Sequence, residues 1–205
     1  MPEFYLLLIL PFLFTLFNQR QRLEDEKDNQ LVNIILSNEH QADLAFREIY
    51  RRYHKRIFKL IHNSVDNIDD CMDLFQQTFL NVYKSMNSFN PKYQFSTWIY
   101  RIATNVVLNY RRSQGRAFKF LQKYEKIQKP FFEPDFADQI YKDEMLNKLH
   151  QAIKKLPHAF SMPLLLTTIG ELKTREVAGI LKITQSAVRK RITRAKELLK
   201  DNLNI

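Results

Sequence analysis

"TREVAGILKITQSAVRKRITRAKELL", residues 174–199, holds two helical periods separated by a break. In the first, Val177, Ala178 and Leu181 share one face, and Ala178 is small enough for a second helix to cross close by. Lys182 stands where the chain must reverse, a position at which glycine commonly supplies a left-handed backbone; a non-glycine residue there costs about 1 kcal/mol or more. Ile183 then plugs the turn, and the Thr184 hydroxyl can cap the second helix. The second period buries Val188, Ile192, Ala195 and Leu199, and turns Gln185, Ser186, Arg189, Lys190, Thr193, Arg194 and Lys196 outward. This is the layout of a helix-turn-helix. A short amide and hydroxyl at the N-terminal end, followed by cations, suit a helix lying in a major groove, where base edges are read first and phosphates neutralised after. The plainer reading, a basic solvated helix in a three-helix bundle, leaves the turn, the cap and the small crossing residue unexplained together. Just upstream, Pro163 in "PHAFSMPLLLTTI" implies a helix that starts late, near Ser161, or one that is kinked.

The 205-residue chain has only 3 glycines and no sustained alternating pattern, which argues for an all-α fold. A hydrophobic share of 45% supports folded cores rather than wholesale disorder. The net charge of +10 makes nucleic acid, or an anionic membrane surface, the leading class of partner. A single cysteine, Cys71, excludes an internal disulfide and a cysteine metal cluster, and fits a cytoplasmic setting.

Residues 95–112, "FSTWIYRIATNVVLNYRR", form a second informative stretch. A helix places Trp98, Ile102, Val106 and Tyr110 on one stripe, with Ile99 and Ala103 beside them. The opposite stripe, Thr97, Arg101, Thr104, Asn105, Asn109 and Arg112, contains no acid and offers amides and hydroxyls between cations, the set that meets phosphates and base edges. Taken alone, a solvated face is the favoured reading of that stripe. Ser96 is the expected N-cap. Before this helix the pattern gives a short helix over "LVNIIL" and a longer one with Phe46, Ile49, Tyr50, Tyr53, Ile57 and Ile61 inside. A third helix, capped by Asp66 or Asn67, buries Leu74, Phe75, Phe79, Val82 and Tyr83. The expectation is therefore two small helical domains: a four-helix lobe over residues 28–114, a linker over 115–141, and a helix-turn-helix lobe over 142–205. A lobe of about 60 residues buries only about 60% of its unfolded surface and is marginal alone.

Residues 4–17, "FYLLLILPFLFTLF", are apolar but short for a membrane span and broken by Pro11. With the acidic lead-in to residue 27 they are read first as an extension from too early a start, so that the native chain begins near residue 20, and second as a peripheral anchor. No catalytic constellation emerges. His40, His54, His62, His150 and His158 lack metal-ligand spacing and are expected at the surface or at helix ends. Neither a cofactor nor a metal is implied, and no small-molecule substrate.

Both lobes together resemble the extracytoplasmic-function (ECF) class of bacterial sigma factors, the promoter-recognition subunits of RNA polymerase. The residues that carry the likeness are "AFREIYRRY", "DLFQQTFLNVYKSMNSFNP", "FSTWIYRIATNVVLNYRR" and "LPHAF" leading into the helix-turn-helix. The resemblance implies that Asp73, Gln76 and Gln77 dock on the clamp helices of core RNA polymerase, although the family usually has an acid where Gln77 stands. It implies that "NSFNPKYQ", with Phe89, captures a flipped base of the minus-10 region of promoter DNA, aided by Asn105. With the helix stripe, the minus-10 set becomes Phe89, Trp98, Arg101, Asn105, Asn109 and Arg112. It assigns Thr184, Gln185, Ser186, Arg189, Lys190, Arg194 and Lys196 to minus-35 duplex, and makes an anti-sigma factor an expected partner. The alternative function is a stand-alone helix-turn-helix transcriptional regulator, which would bind its operator tightly without polymerase.

Overall fold

The computed structural model describes residues 27–37, 39–113 and 144–203. The apolar stretch 4–17 and the linker 115–141 lie outside them. Among the described residues the chain is helical, with no strand. The first lobe comprises α1 (Asp28–Ser37), α2 (Glu39–His62), α3 (Ile68–Lys84), a 3₁₀ turn (Met86–Ser88) and α4 (Phe95–Ser113). The second comprises α5 (Glu144–Lys155), α6 (His158–Thr168), α7 (Thr174–Leu181) and α8 (Gln185–Leu203).

Each boundary in the first lobe has a local cause. Asn67 caps α3, its Oδ1 accepting from the amides of Asp69 (2.6 Å) and Asp70 (3.3 Å), and those two acids sit where the helix dipole favours them. α4 begins at Phe95, so Ser96 lies inside the first turn and is not the cap. Its far end is pinned by side chains: Tyr110 Oη donates to Asp70 (2.6 Å), and the Arg111 guanidinium donates to the Ser64 carbonyl (2.5 Å). α1 is held by Asp28, which pairs with Arg52 (2.9 Å) and accepts from the Tyr53 hydroxyl. Inside, Tyr50, Phe58, Phe75 and Phe79 interlock through edge and tilted ring contacts.

Three expectations about side chains need correction. Tyr83 is 54% exposed, because on the last turn of α3 its ring meets only the edge of Phe46 and then open solvent. Thr104, assigned to the open stripe of α4, is fully buried, and its hydroxyl has no partner. The buried stripe of α4 is rotated from the predicted one: Ile99, Tyr100, Ala103, Val106 and Val107 fill the core, while Trp98, Ile102 and Tyr110 are half-buried.

The second lobe is organised around α6. Six consecutive residues of this helix, Ser161 to Leu166, are buried, which happens only when a helix is covered on more than one side. Met162, Leu165 and Leu166 join the apolar core that runs on from the first lobe; Leu164 faces the other way, toward Leu156 and Ala195. α6 starts at His158 rather than near Ser161, and Pro163 sits within it, with no amide to return to the Ala159 carbonyl.

Candidate nucleic-acid and polymerase interfaces

The helix-turn-helix is built by backbone chemistry that the sequence anticipates. The Lys173 amide donates to Glu176 (2.7 Å), closing the start of α7. Lys182 adopts the left-handed conformation (φ 54°, ψ 44°), which lets the Ile183 amide return to the Ala178 carbonyl at 3.1 Å. The Thr184 hydroxyl then accepts from the Ala187 amide (3.1 Å) and starts α8. With Val188 and Ala195 anchored inside, Thr184, Gln185, Ser186, Arg189, Lys190, Arg194 and Lys196 are all exposed on one continuous helix. Arg194 shares its charge with Glu197 at 2.9 Å, an exposed pair of small energetic weight.

On the first lobe, Arg101, Asn105, Asn109 and Arg112 are exposed along α4, each about one turn from the next. Trp98 and Phe89 come together, with ring centroids 5.4 Å apart, and both pack on Phe95. Phe89 is turned inward, only 7% exposed, so its ring faces are already covered by protein. Expecting it to offer a free stacking face therefore fails in this conformation: the loop folds its first aromatic under itself to close the core. On α3, Asp73, Gln76 and Gln77 are half-buried, and Gln77 donates to Asn81 at 2.8 Å.

The two lobes touch along a seam that local sequence patterns did not announce. Thr97 Oγ1 donates to Glu176 (2.7 Å), so the first residue of the acid-free stripe is engaged by a carboxylate of the other lobe. Tyr100 Oη donates to the Ile169 carbonyl at 3.4 Å. Beside it, a Cβ on Gly170 would stand 2.5 Å from the Leu166 carbonyl oxygen and 3.3 Å from the Tyr100 ring, so only glycine fits the packing. Arg56 pairs with Glu171 across the seam at 2.9 Å. Arg56, Tyr100, Gly170, Glu171 and Glu176 line a polar cleft of about 630 Å³ together with Asp28, Arg52, Gln94, Ser96 and Lys173.

At the other end of the seam His62 and His150 stack, with centroids 4.2 Å apart and planes within 8°. His150 Nδ1 is 2.9 Å from Asn63 Oδ1. His62 does end α2, one of the two places expected for it, but neither histidine is at the surface: both are buried between the lobes. Burial, then the nearby Lys154 ammonium, pushes His62 down to about 4; His150 falls to about 4 through burial and then its neighbours His62 and Lys154. Burial, then Arg111, does the same to His158, whose ring nitrogens have no partner.

Two family models match the chain, one falling mostly in the first lobe and one in the second: Sigma-70 region 2 over residues 49–117 and Sigma-70, region 4 over residues 146–199. The chain is 30% identical over 168 residues to the ECF RNA polymerase sigma factor SigW of Bacillus subtilis, covering 78% of this chain and 89% of that one. The chain belongs to the ECF class of sigma factors. It directs promoter recognition by RNA polymerase, and with both sigma regions present a stand-alone helix-turn-helix regulator is not favoured. Another sigma factor, the RNA polymerase sigma-H factor of Pseudomonas aeruginosa, is 28% identical over 86% of this chain and 94% of its own. The sigma fold also appears in the structure of CnrH in complex with the cytosolic domain of CnrY, with a TM-score of 0.63, 22% identity, and coverage of 87% of this chain and 98% of that one. Sigma factors of this kind are DNA-binding initiation factors. Among the described residues no helix is long and apolar enough to cross a membrane, and no cluster of side chains could hold a metal ion.

Proposed function

We propose that this sigma factor divides its grip on the promoter between its lobes: residues 142–205 hold minus-35 duplex through Thr184, Gln185, Ser186, Arg189, Lys190, Arg194 and Lys196. Residues 28–114 meet the separating minus-10 strand through Arg101, Asn105, Asn109 and Arg112, with Trp98 at the edge of that face. Asp73, Gln76 and Gln77 dock on core polymerase. The observation that carries this reading is the pair of exposed, outward-turned faces on α8 and α4, each supported by its own buried stripe. The protein is not an enzyme: its one thiol, Cys71, is buried and thereby pushed up to about 12, far from a useful nucleophile. It acts in the cytoplasm, where its polymerase is, and an anti-sigma factor holds it when it is idle.

The seam is the idle state. Elements that their names place about 25 base pairs apart lie roughly 80 Å apart on B-form DNA. Lobes in contact cannot read both at once. The chain between residues 113 and 144 can extend roughly 100 Å, which is enough to let them part. Opening about 12 base pairs costs roughly 15 kcal/mol in lost stacking, whereas one base stacked on an aromatic returns about 1–3 kcal/mol. Polymerase must therefore supply most of the melting.

Run-off transcription with purified core, combined with permanganate footprinting, tests the scheme. Strand opening is expected only with core present. Asn105→Ala lowers open-complex formation more than duplex binding, while Arg189→Ala weakens minus-35 binding. Equal effects of both on duplex affinity, or a bubble opened by the chain alone, would refute the division.

A further inference from the structure

The second lobe meets α4 along one line. Thr97 donates to Glu176 near the start of the helix, Tyr100 donates to the Ile169 carbonyl about one turn on, and near the far end the Arg111 cation acts on His158 of α6. At about 100° of rotation per residue these three side chains share one face, and Thr104 stands in the middle of it. Ile99, Ala103 and Val106, which fill the core of the first lobe, point about 100° or more away from Thr104. Thr104 is nevertheless 0% exposed, so the second lobe completes its cover.

The seam pairs most of the polar groups it contains. Thr97 has Glu176, Tyr100 has the Ile169 carbonyl, Arg56 has Glu171, and His150 has Asn63. Thr104 Oγ1 has no partner among the described residues, and neither do the ring nitrogens of His158 farther along the same line. A hydroxyl taken out of water with nothing to bond biases the molecule against the state that buries it, roughly 5- to 150-fold. Valine has nearly the same shape and no such group. Parting the lobes returns the hydroxyl to water, so its effect falls on the closed form alone.

We infer that Thr104 is a release element: its hydroxyl, sealed by the second lobe without a partner, holds the closed form short of the stability its apolar seam would otherwise reach. This rests on the reading of the seam as the idle state. The apolar side of the contact shows why release is needed. Tyr100 of the first lobe and Met162, Leu165, Leu166 and Leu172 of the second belong to one continuous cluster. A partner that takes the parted form binds with an affinity lowered by the fraction of molecules that are parted. The orphan hydroxyl raises that fraction and keeps the lobes within reach of core polymerase.

The test uses the full chain carrying Asn33→Cys and Lys200→Cys, one exposed site on each lobe, labelled as a distance pair and followed as core polymerase is added without DNA. Wild type starts closed and parts as core is added. Thr104→Val, which keeps the shape and removes the hydroxyl, needs roughly 5- to 150-fold more core to part. Thr104→Ser, which keeps the hydroxyl, parts no later than wild type. The inference is overturned if Thr104→Val parts at the wild-type concentration of core or below it. It is equally overturned if Thr104→Val raises the melting temperature and leaves core-driven opening unchanged, because the hydroxyl is then sealed by the first lobe alone. In both cases a wild type that begins closed keeps the idle-state reading, and only Thr104 is released. A wild type already parted before core arrives removes both.

Discussion

The two lobes stand on different foundations. The first packs Phe58, Phe75 and Phe95 fully buried within itself, ring against ring. The second shares part of its core with the first: Met162, Leu165, Leu166, Leu172, Val177 and Ile180 belong to the apolar cluster that continues into the four-helix lobe, beside a smaller cluster around Leu156, Leu164 and Ala195. Under the proposed division of the promoter, the lobe that holds duplex DNA shares part of its core with the module it must leave in order to work. Closure is therefore expected to add to the stability of the smaller lobe, which is marginal in size alone.

Phe75→Ala should put this contrast under the greatest strain. Emptying a fully packed aromatic site in the first lobe costs about 3–5 kcal/mol, and calorimetry of the intact chain should show both lobes melting earlier together. Independent melting of an unchanged second lobe would break the dependence. Next in size is Gly170→Ala. The added methyl meets a backbone carbonyl that cannot swing away, so the seam should loosen by about 1–3 kcal/mol. A distance reporter with one label on each lobe should then read a wider average separation.

Acid should act in the same direction. His62, His150 and His158 are held neutral in the closed form, with pKa values near 4 against an ordinary value near 6.5. The parted or unfolded state binds more protons between these values. The stabilisation is therefore complete above about pH 6.5 and is lost as the pH falls toward 4. The neighbouring Lys154 and Arg111 are cations already, so each proton gained adds repulsion; Asn63 is uncharged and offers no relief. The same distance reporter, titrated between pH 7.5 and 4, should show progressive opening, and the double change His62→Gln with His150→Gln should flatten it. Smallest of all is Arg56→Ala. Its partner Glu171 is 65% exposed and the pair is solvated, so the expected cost is a few tenths of a kcal/mol, within ~0.5 kcal/mol.

Much of the fold was legible in the chain, because helices with one wet face announce themselves by period. The helix-turn-helix was legible to the level of single residues: the left-handed Lys182, the Thr184 cap and the inward Ala178 are local events set by neighbours in sequence. α6 resisted for the opposite reason. Covered on two sides, it has no polar face to mark its phase, and Pro163 suggested a boundary that the packing overrides. The inward turn of Phe89 was equally hidden, since a loop residue has no period. The seam was beyond reach altogether. Thr97 with Glu176 and His62 with His150 are meetings between residues some eighty positions apart, and each of these side chains reads locally as an ordinary helix-surface group.

The contact between Thr97 and Glu176 also restrains the charge of the molecule. A hydroxyl has one proton to give, and in the shut protein it is given to a carboxylate. A phosphate arriving at that spot must evict a like-charged group before it can bind there, so affinity at that one spot is reduced by the fraction of molecules that are shut. In the shut protein one internal anion thus occupies one end of the acid-free stripe, while the cations of α8 stay open.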